Sequence, residues 1–251
     1  NTGDDFEHLG LHVSPDIDTV TYTLAGLNDT ERGWGLADES WNFMAALGRL
    51  GGEKWFNLGD RDLATHVLRT IQLKEGRSLS EITAGFAARL GIDAHLLPMS
   101  DDPVRTKVST PEGELDFQRY FVERQCAPEV RAIAFEGVAD ARPHPALMQA
   151  LADSSLAAIV ICPSNPYLSV DPLLALPGLR EALASAPPPV IAVSPIVGGA
   201  AVKGPTAKIM RELNLPVTTA SVAEHYRGLV DGLVIDESDA AEAATLDLPV
   251  L

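Results

Sequence analysis

From residue 155 to the end of the chain, short apolar runs alternate with segments of helical periodicity. The apolar runs are "LAAIVIC", "PVIAVS" and "DGLVIDE", and the segments between them include "DPLLALPGLREALASA", "PTAKIMRELNL" and "SVAEHYRGL". This alternation is typical of βαβ units, in which strands lie parallel and helices cross between them. We therefore predict an α/β fold with a Rossmann-like, doubly wound and mostly parallel sheet, in a single domain over residues 1–251.

The middle of the chain has a different pattern, and we predict an inserted, largely helical subdomain with a hairpin over residues 36–125. In "DRDLATHVLRTIQLKEG" one helical stripe is apolar and ends before Gly76. That stripe consists of Leu63, Val67, Leu68 and Ile71. Ser78 and Glu81 have the spacing of a capping box at the start of a second helix, which Gly91 ends. "VRTKVSTPEGELDFQ" then predicts two short strands around the turn "PEG".

The chain is acidic, with a formal net charge of -16. Nucleic acid and anionic membranes would be repelled by such a surface, so neither is expected as a partner. No apolar run reaches the roughly 18 residues that a membrane span needs. Cys126 and Cys162 are the only cysteines, too few for a disulfide framework. We expect a soluble protein of the reducing cytoplasm.

Two loops follow predicted strands at the edge where parallel sheets bind their ligands. Each offers polar side chains or glycines that allow the backbone to approach a ligand. The candidate residues are Ser164 and Asn165 in "PSNPYLSVDP", and Ser194, Gly198, Gly199 and Lys203 in "SPIVGGAAVKGPTAK". The alternative is that both loops are merely tight strand-to-helix turns.

Acidic residues crowd the first nineteen positions, where no Lys or Arg occurs. If "SPDIDT" is extended, Asp16 and Asp18 lie on one face, which suits oxygen ligation of Mg²⁺. Asp4 and Asp5 precede them and strengthen this interpretation. The alternative is a helix N-cap followed by a solvated Asp.

"NLGDRDLATH" is a third polar segment. Its structural interpretation is that Asp60 or Asp62 caps the following helix and that Arg61 pairs with one of them. Its functional interpretation is that this helix N-terminus faces a ligand. The six histidines form no HxxxH or HxH pair, so a zinc site has little support, and His66 is expected on the surface.

Taken in order, these loops resemble a known family. The segments "NTGDD", "SPDIDT", "RGWG", "LGDRDLATH", "LPMSDDPVRT", "FQRYFVER", "PSNP", "SPIVGG" and "GPTAK" are similar to those of the 2-phospho-L-lactate transferase family of coenzyme F-420 biosynthesis. The resemblance covers nearly the whole chain. It implies a nucleotide-binding domain and an Mg²⁺-dependent transfer of a phospho-linked three-carbon acid. The donor is activated by guanosine diphosphate, the acceptor is the ribityl hydroxyl of 8-hydroxy-5-deazariboflavin, and GMP is released.

The resemblance also implies roles for particular residues. Asp18 would be the catalytic acidic group at the acceptor hydroxyl and a metal ligand, with Asp4 or Asp5 beside it on the metal. The acceptor would contact Asp18, Asn57, Asp60, Asp62 and Trp34. Its flat ring needs an apolar surface, and our own candidates for that surface are Trp34, Trp41 and Tyr167. Asn57 replaces a Lys of some relatives. The two polar loops, Ser194 included, would bind the donor nucleotide.

The resemblance further implies a homodimer, and a strand with a Gly-rich turn that precedes Asn1 in relatives. One alternative is a non-catalytic metabolic regulator that has the same core and binds nucleotide sugars. Asp18 stands where that group carries a basic residue, which favours the transferase. A dinucleotide-dependent oxidoreductase would need a GxGxxG turn, and the sequence has none.

Overall fold

A computed structural model describes all residues from 1 to 251. The strands are β1 Phe6–His8, β2 Leu11–Val13, β3 Arg105–Thr110, β4 Gly113–Asp116, β5 Ala132–Glu136, β6 Ile159–Ile161, β7 Val190–Val193, β8 Ile196–Val197, β9 Ala200–Ala201 and β10 Gly232–Val234. The α-helices are α1 Pro15–Leu24, α2 Asn42–Arg49, α3 Asp62–Lys74, α4 Leu79–Arg89, α5 Pro145–Leu151, α6 Asp171–Leu174, α7 Leu179–Ala184, α8 Thr206–Glu212 and α9 Thr219–His225. Two π-helices span Arg119–Glu123 and Pro166–Val170, and a 3₁₀-helix spans Glu237–Thr245.

The three apolar runs of the C-terminal half form one parallel sheet in the order β10-β7-β6. Ile191 on β7 lies between Val160 and Gly232 of its two neighbours. Helices separate these strands along the chain, as a parallel connection requires. The predicted α/β fold with a parallel sheet is confirmed.

The remaining strands pair antiparallel. The predicted hairpin around "PEG" is formed by β3 and β4, and β5 adds a third strand that the sequence analysis did not anticipate. β1 and β2 make a short hairpin near the chain start. The backbone N–H of Thr106 on β3 donates to the carbonyl of Gly3, which fixes the acidic N-terminal segment against the antiparallel sheet.

The predicted insertion, residues 36–125, contains α2, α3, α4 and the β3–β4 hairpin. Its strand β3 also pairs with β5, which lies beyond that range. At the start of α4, Ser78 and Glu81 form the predicted capping box, with both reciprocal hydrogen bonds present.

Helix α1 begins at Pro15, so the expectation of an extended "SPDIDT" segment is wrong. Proline is well suited to a first helical turn because its fixed φ is helical and its missing N–H would have no partner there. Asp16 and Asp18 consequently point in different directions around the helix. The alternative, a helix N-cap followed by a solvated Asp, does not describe this segment either. Ser14 at the N-cap position makes no side-chain cap hydrogen bond, and Asp18 is buried.

Helix α3 exists as predicted, but the face that packs against the protein interior is the polar one and not the apolar one. The buried residues are His66, Arg69 and Thr70, whereas Val67, Leu68 and Ile71 are 40–50% exposed. Val67, Leu68 and Ile71 therefore face outward and a polar face packs inward, whereas Leu63 of the predicted stripe is half-buried against a small apolar cluster.

The main hydrophobic core lies between the parallel sheet, its helices and the antiparallel sheet, and includes Val108, Tyr120 and Leu233. A smaller cluster of Val13, Met44 and Leu58 fixes α2 against the N-terminal hairpin. None of the helices is both long and apolar enough to span a bilayer.

Candidate active site

A cleft of about 690 Å³ lies between α1, α3 and the loops that follow β6 and β7. Many of the predicted site residues line it, although they come from five separate parts of the chain. They are Asp4, Asp16, Asp18, Trp34, Asn57, Asp62, Ser164, Asn165 and Lys203. A second cavity of about 280 Å³ adjoins it, and Asp4 lines both.

Asp4 and Asp16 form an acidic pair in the cleft. Burial raises the pKa of Asp4 well above its ordinary value of 3.8, and the nearby charge of Asp16 raises it further. Burial also raises the pKa of Asp16, with a contribution from the charge of Asp5. Asp4 Oδ1 is buried and has no hydrogen-bond partner. These carboxylates repel one another and are short of positive charge or donors.

Asp5 has a mainly structural set of contacts. Its Oδ2 accepts a hydrogen bond of 2.9 Å from Ser14 Oγ and lies 3.1 Å from His12 Nε2. Its Oδ1 is buried without a partner, like that of Asp4, and Asp5 lines the smaller cavity rather than the cleft. One oxygen of Asp5 is thus used for the fold and the other is open to a ligand.

Asp18 is bound to Arg69. Both terminal nitrogens of Arg69 contact the two carboxylate oxygens of Asp18, with Nη1 3.1 Å from Oδ2. Burial raises the pKa of Asp18, and the charge of Arg69 partly offsets this. A bidentate Arg neutralises the carboxylate and takes one lone pair of each oxygen, which leaves a second lone pair on each. Asp18 therefore lines the cleft with Arg69 as its counter-charge.

His66 lies on the inner face of α3, between two carboxylates. Its Nδ1 is 3.6 Å from Asp18 Oδ2, and its Nε2 is 3.1 Å from Asp62 Oδ2. The expectation that His66 is a surface residue is wrong, because it is 1% exposed and lines the cleft. These three side chains could in principle hold a metal ion. However, the two ring nitrogens face different carboxylates and Arg69 already neutralises Asp18, so the arrangement is a chain of close polar contacts rather than a ligand set.

Asp62 ends this chain at the cleft wall. Its Oδ1 accepts a hydrogen bond from the Tyr22 hydroxyl, which also lies 2.9 Å from Thr65 Oγ1. Burial by itself raises the pKa of Asp62, but the hydrogen bonds and charge of His66 and the Tyr22 hydroxyl bring it below 3.8. Asp62 is therefore a fixed, ionised hydrogen-bond acceptor.

Asp60 does not reach the cleft. Its carboxylate accepts the backbone N–H groups of Asn42 and Phe43 and so caps α2, and the Phe43 hydrogen bond is the main cause that lowers its pKa to about 2. The idea that Asp60 or Asp62 caps α3 is wrong. Glu39 does so instead, by accepting from the backbone N–H groups of residues 61 and 62. Arg61 donates to the carbonyl of Ala37 and pairs with neither Asp.

The loop after β6 contributes donors to the cleft. Asn165 Oδ1 accepts from the backbone N–H groups of Tyr167 and Leu168, which orients its amide. Asn165 Nδ2 is buried and has no partner, so it can donate to a ligand. Ser164 lies beside it on the cleft wall.

The loop after β7 is only partly at the cleft. Lys203 lines it and reaches the carbonyl of Gly33 across the opening, with Nζ at 3.5 Å. Ser194 is buried away from the cleft, where its hydroxyl bonds the backbone of Ile196. The backbone N–H of Gly198 is taken by the carboxylate of Asp239 at 3.0 Å, and neither Gly198 nor Gly199 lines the cleft.

Of the aromatic residues suggested for a flat ring, Trp34 lines the cleft, whereas Trp41 and Tyr167 do not. Trp34 is 44% exposed at the opening, with the guanidinium of Arg32 5.1 Å from its ring centre.

The comparisons with known proteins bear directly on this arrangement. Residues 1–247 match the family model described as 2-phospho-L-lactate transferase CofD. The chain belongs to this transferase family.

Several proteins of this family are similar to the chain over most of its length. A phosphoenolpyruvate transferase of Kitasatospora aureofaciens is 42% identical over 98% of the chain and 78% of its own length. A phosphoenolpyruvate transferase of Streptomyces griseus is 44% identical over 96% of the chain and 77% of its own length. A 2-phospho-L-lactate transferase of Methanosarcina mazei is 39% identical over 96% and 78%.

Two solved structures of protein BH3568 from Bacillus halodurans, a member of the upf0052 family, share the fold. They have TM-scores of 0.52 and 0.51 at 16% and 17% identity, and they match 92% of this chain and 70% of theirs. At this identity the likeness concerns the fold alone.

Four site residues of this CofD-family chain were not predicted as such from the sequence, namely Tyr22, Trp55, His66 and Arg69. A signal for two of them was present, because Asp62, His66 and Arg69 recur at i, i+4 and i+7 and so form one polar helix face. Trp55 lines both cavities, and Arg119 lies 4.1 Å from its ring centre. Nothing in the sequence distinguishes Trp55 from a core residue.

Proposed function

We propose that the protein transfers a phospho-linked three-carbon acid from a guanosine diphosphate-activated donor to the ribityl hydroxyl of 8-hydroxy-5-deazariboflavin, with release of GMP, in coenzyme F-420 biosynthesis. The main support is that a single cleft is lined by the acidic pair Asp4 and Asp16, by Asp62 and Asn57, and by the donors Asn165 and Lys203. The relatives' names point to 2-phospholactate or phosphoenolpyruvate as the transferred group, and phosphoglycerate belongs to the same chemical class.

The reaction replaces one bond to phosphorus by another. The acceptor oxygen forms a new P–O bond to the phosphorus that bears the acid, the phosphoanhydride bond breaks, and GMP leaves with the electron pair. The proton of the hydroxyl needs an acceptor, and we assign this to Asp18, which faces the cleft beside Asp62. Positioning and charge neutralisation dominate such reactions, since the transition state needs little covalent help.

The acidic residues fit a divalent cation. Asp4 Oδ1 and Asp5 Oδ1 are buried without partners, and oxygen ligands of this kind suit Mg²⁺. We assign Asp4 and the free oxygen of Asp5 to this cation, with the nearby charge of Asp16 attracting it, while Asp18 stays paired with Arg69. Mg²⁺ held there would neutralise the diphosphate of the donor in a protein whose net charge is -16. Asn165 Nδ2 and Lys203 would supply donors to the remaining phosphate oxygens.

The outer face of α3 supports a homodimer. Val67, Leu68 and Ile71 are exposed, and the neighbouring Ala64 extends them into an uncharged stripe at helical spacing. Two strongly acidic molecules can approach most readily where neither carries charge, and a self-complementary stripe suits a twofold contact. We therefore assign the second copy of this chain to that stripe.

The activity is tested by mixing the protein with Mg²⁺, 8-hydroxy-5-deazariboflavin and each of the three guanosine-linked donors. The expected result is GMP release together with the mass gain of the acceptor, for at least one donor. Omission of Mg²⁺ should abolish both. No product with any donor, together with tight binding of a nucleotide sugar, would contradict the transferase and support a binding protein.

A further inference from the structure

A network of buried polar side chains joins α1 to α3 and ends at the cleft. It runs from Asp18 through Arg69 and His66 to Asp62 and the Tyr22 hydroxyl. Arg69 and His66 are each 1% exposed, so water cannot substitute for a lost partner. The reaction proposed above uses the two carboxylates of this network, Asp18 and Asp62, and gives no role to His66.

The contact between Arg69 and His66 determines the tautomer of the neutral imidazole. Arg69 Nη1 lies 3.4 Å from His66 Nδ1. A guanidinium can only donate, so Nδ1 must present its lone pair to Arg69. In the neutral ring the single proton then sits on Nε2, which faces Asp62 Oδ2 at 3.1 Å.

In this tautomer the N–H of His66 is directed at Asp62. Its Nε2–H points at one oxygen of Asp62 while the Tyr22 hydroxyl donates to the other. Nε2 lies 3.1 Å from Oδ2 without making a regular hydrogen bond, so the neutral ring restrains Asp62 through the dipole of its N–H and through packing. A carboxylate held from both sides keeps one orientation, which a chain of ligand hydroxyls can recognise.

We propose that His66 is a positioning residue, held by Arg69 as the Nε2–H tautomer, that orients Asp62 to bind the hydroxyl chain of the acceptor. This inference rests on the proposed function. It assigns His66 no direct contact with the reacting atoms. A residue with this role should affect acceptor binding more than the chemical step or donor binding.

Two substitutions separate this role from a merely structural one. In His66→Gln the side-chain amide can take the place of Nε2 and still donate to Asp62. In His66→Asn the amide takes the place of Nδ1 and loses that contact. The shorter Asn also leaves a packing defect, but a packing role alone would lower the melting temperature and disturb kcat and the donor KM together with the acceptor KM, whereas the positioning role changes the acceptor KM alone.

The expected result is an acceptor KM at least about tenfold higher in His66→Asn, because Asp62 loses the restraint that Nε2 places on one of its oxygens. His66→Gln should stay within about threefold of the wild type, and kcat and the donor KM should change little in either. His225→Asn is the matched control, because His225 forms a His–Asp pair with Asp171 at 2.8 Å and neither residue lines the cleft. It should leave the acceptor KM unchanged.

A readout independent of turnover is the ¹⁵N spectrum of the histidine rings, with the His66 signals assigned by their absence in His66→Asn. The Nε2–H tautomer is expected. An Nδ1–H tautomer, or equal acceptor KM values for the Gln and Asn variants, would overturn the inference. Wild-type protein that neither binds nor converts the acceptor would contradict the proposed function itself, and this inference with it.

Discussion

Arg69 grips Asp18 inside the protein, with its two terminal nitrogens on the two carboxylate oxygens. The side chains are 1% and 8% exposed. Burial favours the neutral forms of both groups, but the charge of Asp18 more than offsets this for Arg69 and raises its pKa. The pair therefore fixes α3 to α1 and determines where every other polar residue of the inner α3 face lies.

Removal of Arg69 should be strongly destabilising. Arg69→Met leaves the buried carboxylate of Asp18 without a counter-charge, and such a loss costs about 3–5 kcal/mol of the free energy of unfolding. Urea denaturation measures the change. Arg142→Ala is the control, because Arg142 is 87% exposed in its pair with Asp102 and should cost less than about 1 kcal/mol. Equal losses in the two variants would mean that the Arg69–Asp18 pair has no special role.

Asp4 makes the stability of the protein without divalent cations depend on pH. Because its folded pKa is raised above 3.8, its favourable contribution is complete below that pH and is lost as the pH rises through the folded pKa. Asp4→Asn abolishes this loss. We expect the variant to equal the wild type below about pH 4 and to be more stable at pH 7, as measured by urea denaturation with a chelator present.

Mg²⁺ should reverse the order of stability of the wild type and Asp4→Asn. At pH 7 it should stabilise the wild type, since a ligand that binds only the folded state adds to the free energy of unfolding. It should not stabilise Asp4→Asn. Asp93→Asn, which removes an exposed acidic side chain, serves as the control and should respond like the wild type. A wild type insensitive to Mg²⁺ would argue against the assigned ligands.

Asp60 and Asn57 should have opposite phenotypes. Asp60→Ala removes the cap of α2 and should lower the melting temperature, while the acceptor KM stays near that of the wild type. Asn57→Ala should raise the acceptor KM and leave the melting temperature unchanged, because Asn57 is exposed on the cleft wall. Steady-state kinetics and calorimetry on the same two preparations test this crossed pattern. A raised acceptor KM in Asp60→Ala would show that Asp60 belongs to the acceptor site after all.

The parallel sheet could be predicted from sequence because its strands are short apolar runs, and their period differs from that of the helices between them. The capping box of α4 could be predicted for a similar reason, since Ser78 and Glu81 interact within a single turn. Such local signals do not depend on what packs against the element.

The inner face of α3 could not be predicted in the same way. Periodicity identified its apolar stripe, but it does not tell which side of a helix faces inward. The polar side is buried because Arg69 and His66 contact Asp18 on α1. Asp18 lies 51 and 48 positions before them in the sequence. Interactions over that separation are properties of the fold. The same holds for Gly198, whose N–H is occupied by Asp239 from a distant 3₁₀-helix.

The exposed stripe of α3 gives a last prediction. Leu68→Glu places a charge in the centre of the stripe, where Leu68 is 50% exposed, and should convert the proposed homodimer to a monomer. Leu50→Glu is the matched control, because Leu50 is 88% exposed outside this stripe and should leave the dimer intact. Sedimentation over a range of concentrations distinguishes the two states. Wild-type protein that is monomeric throughout that range, or a Leu68→Glu variant that stays dimeric, would show that α3 does not form the contact.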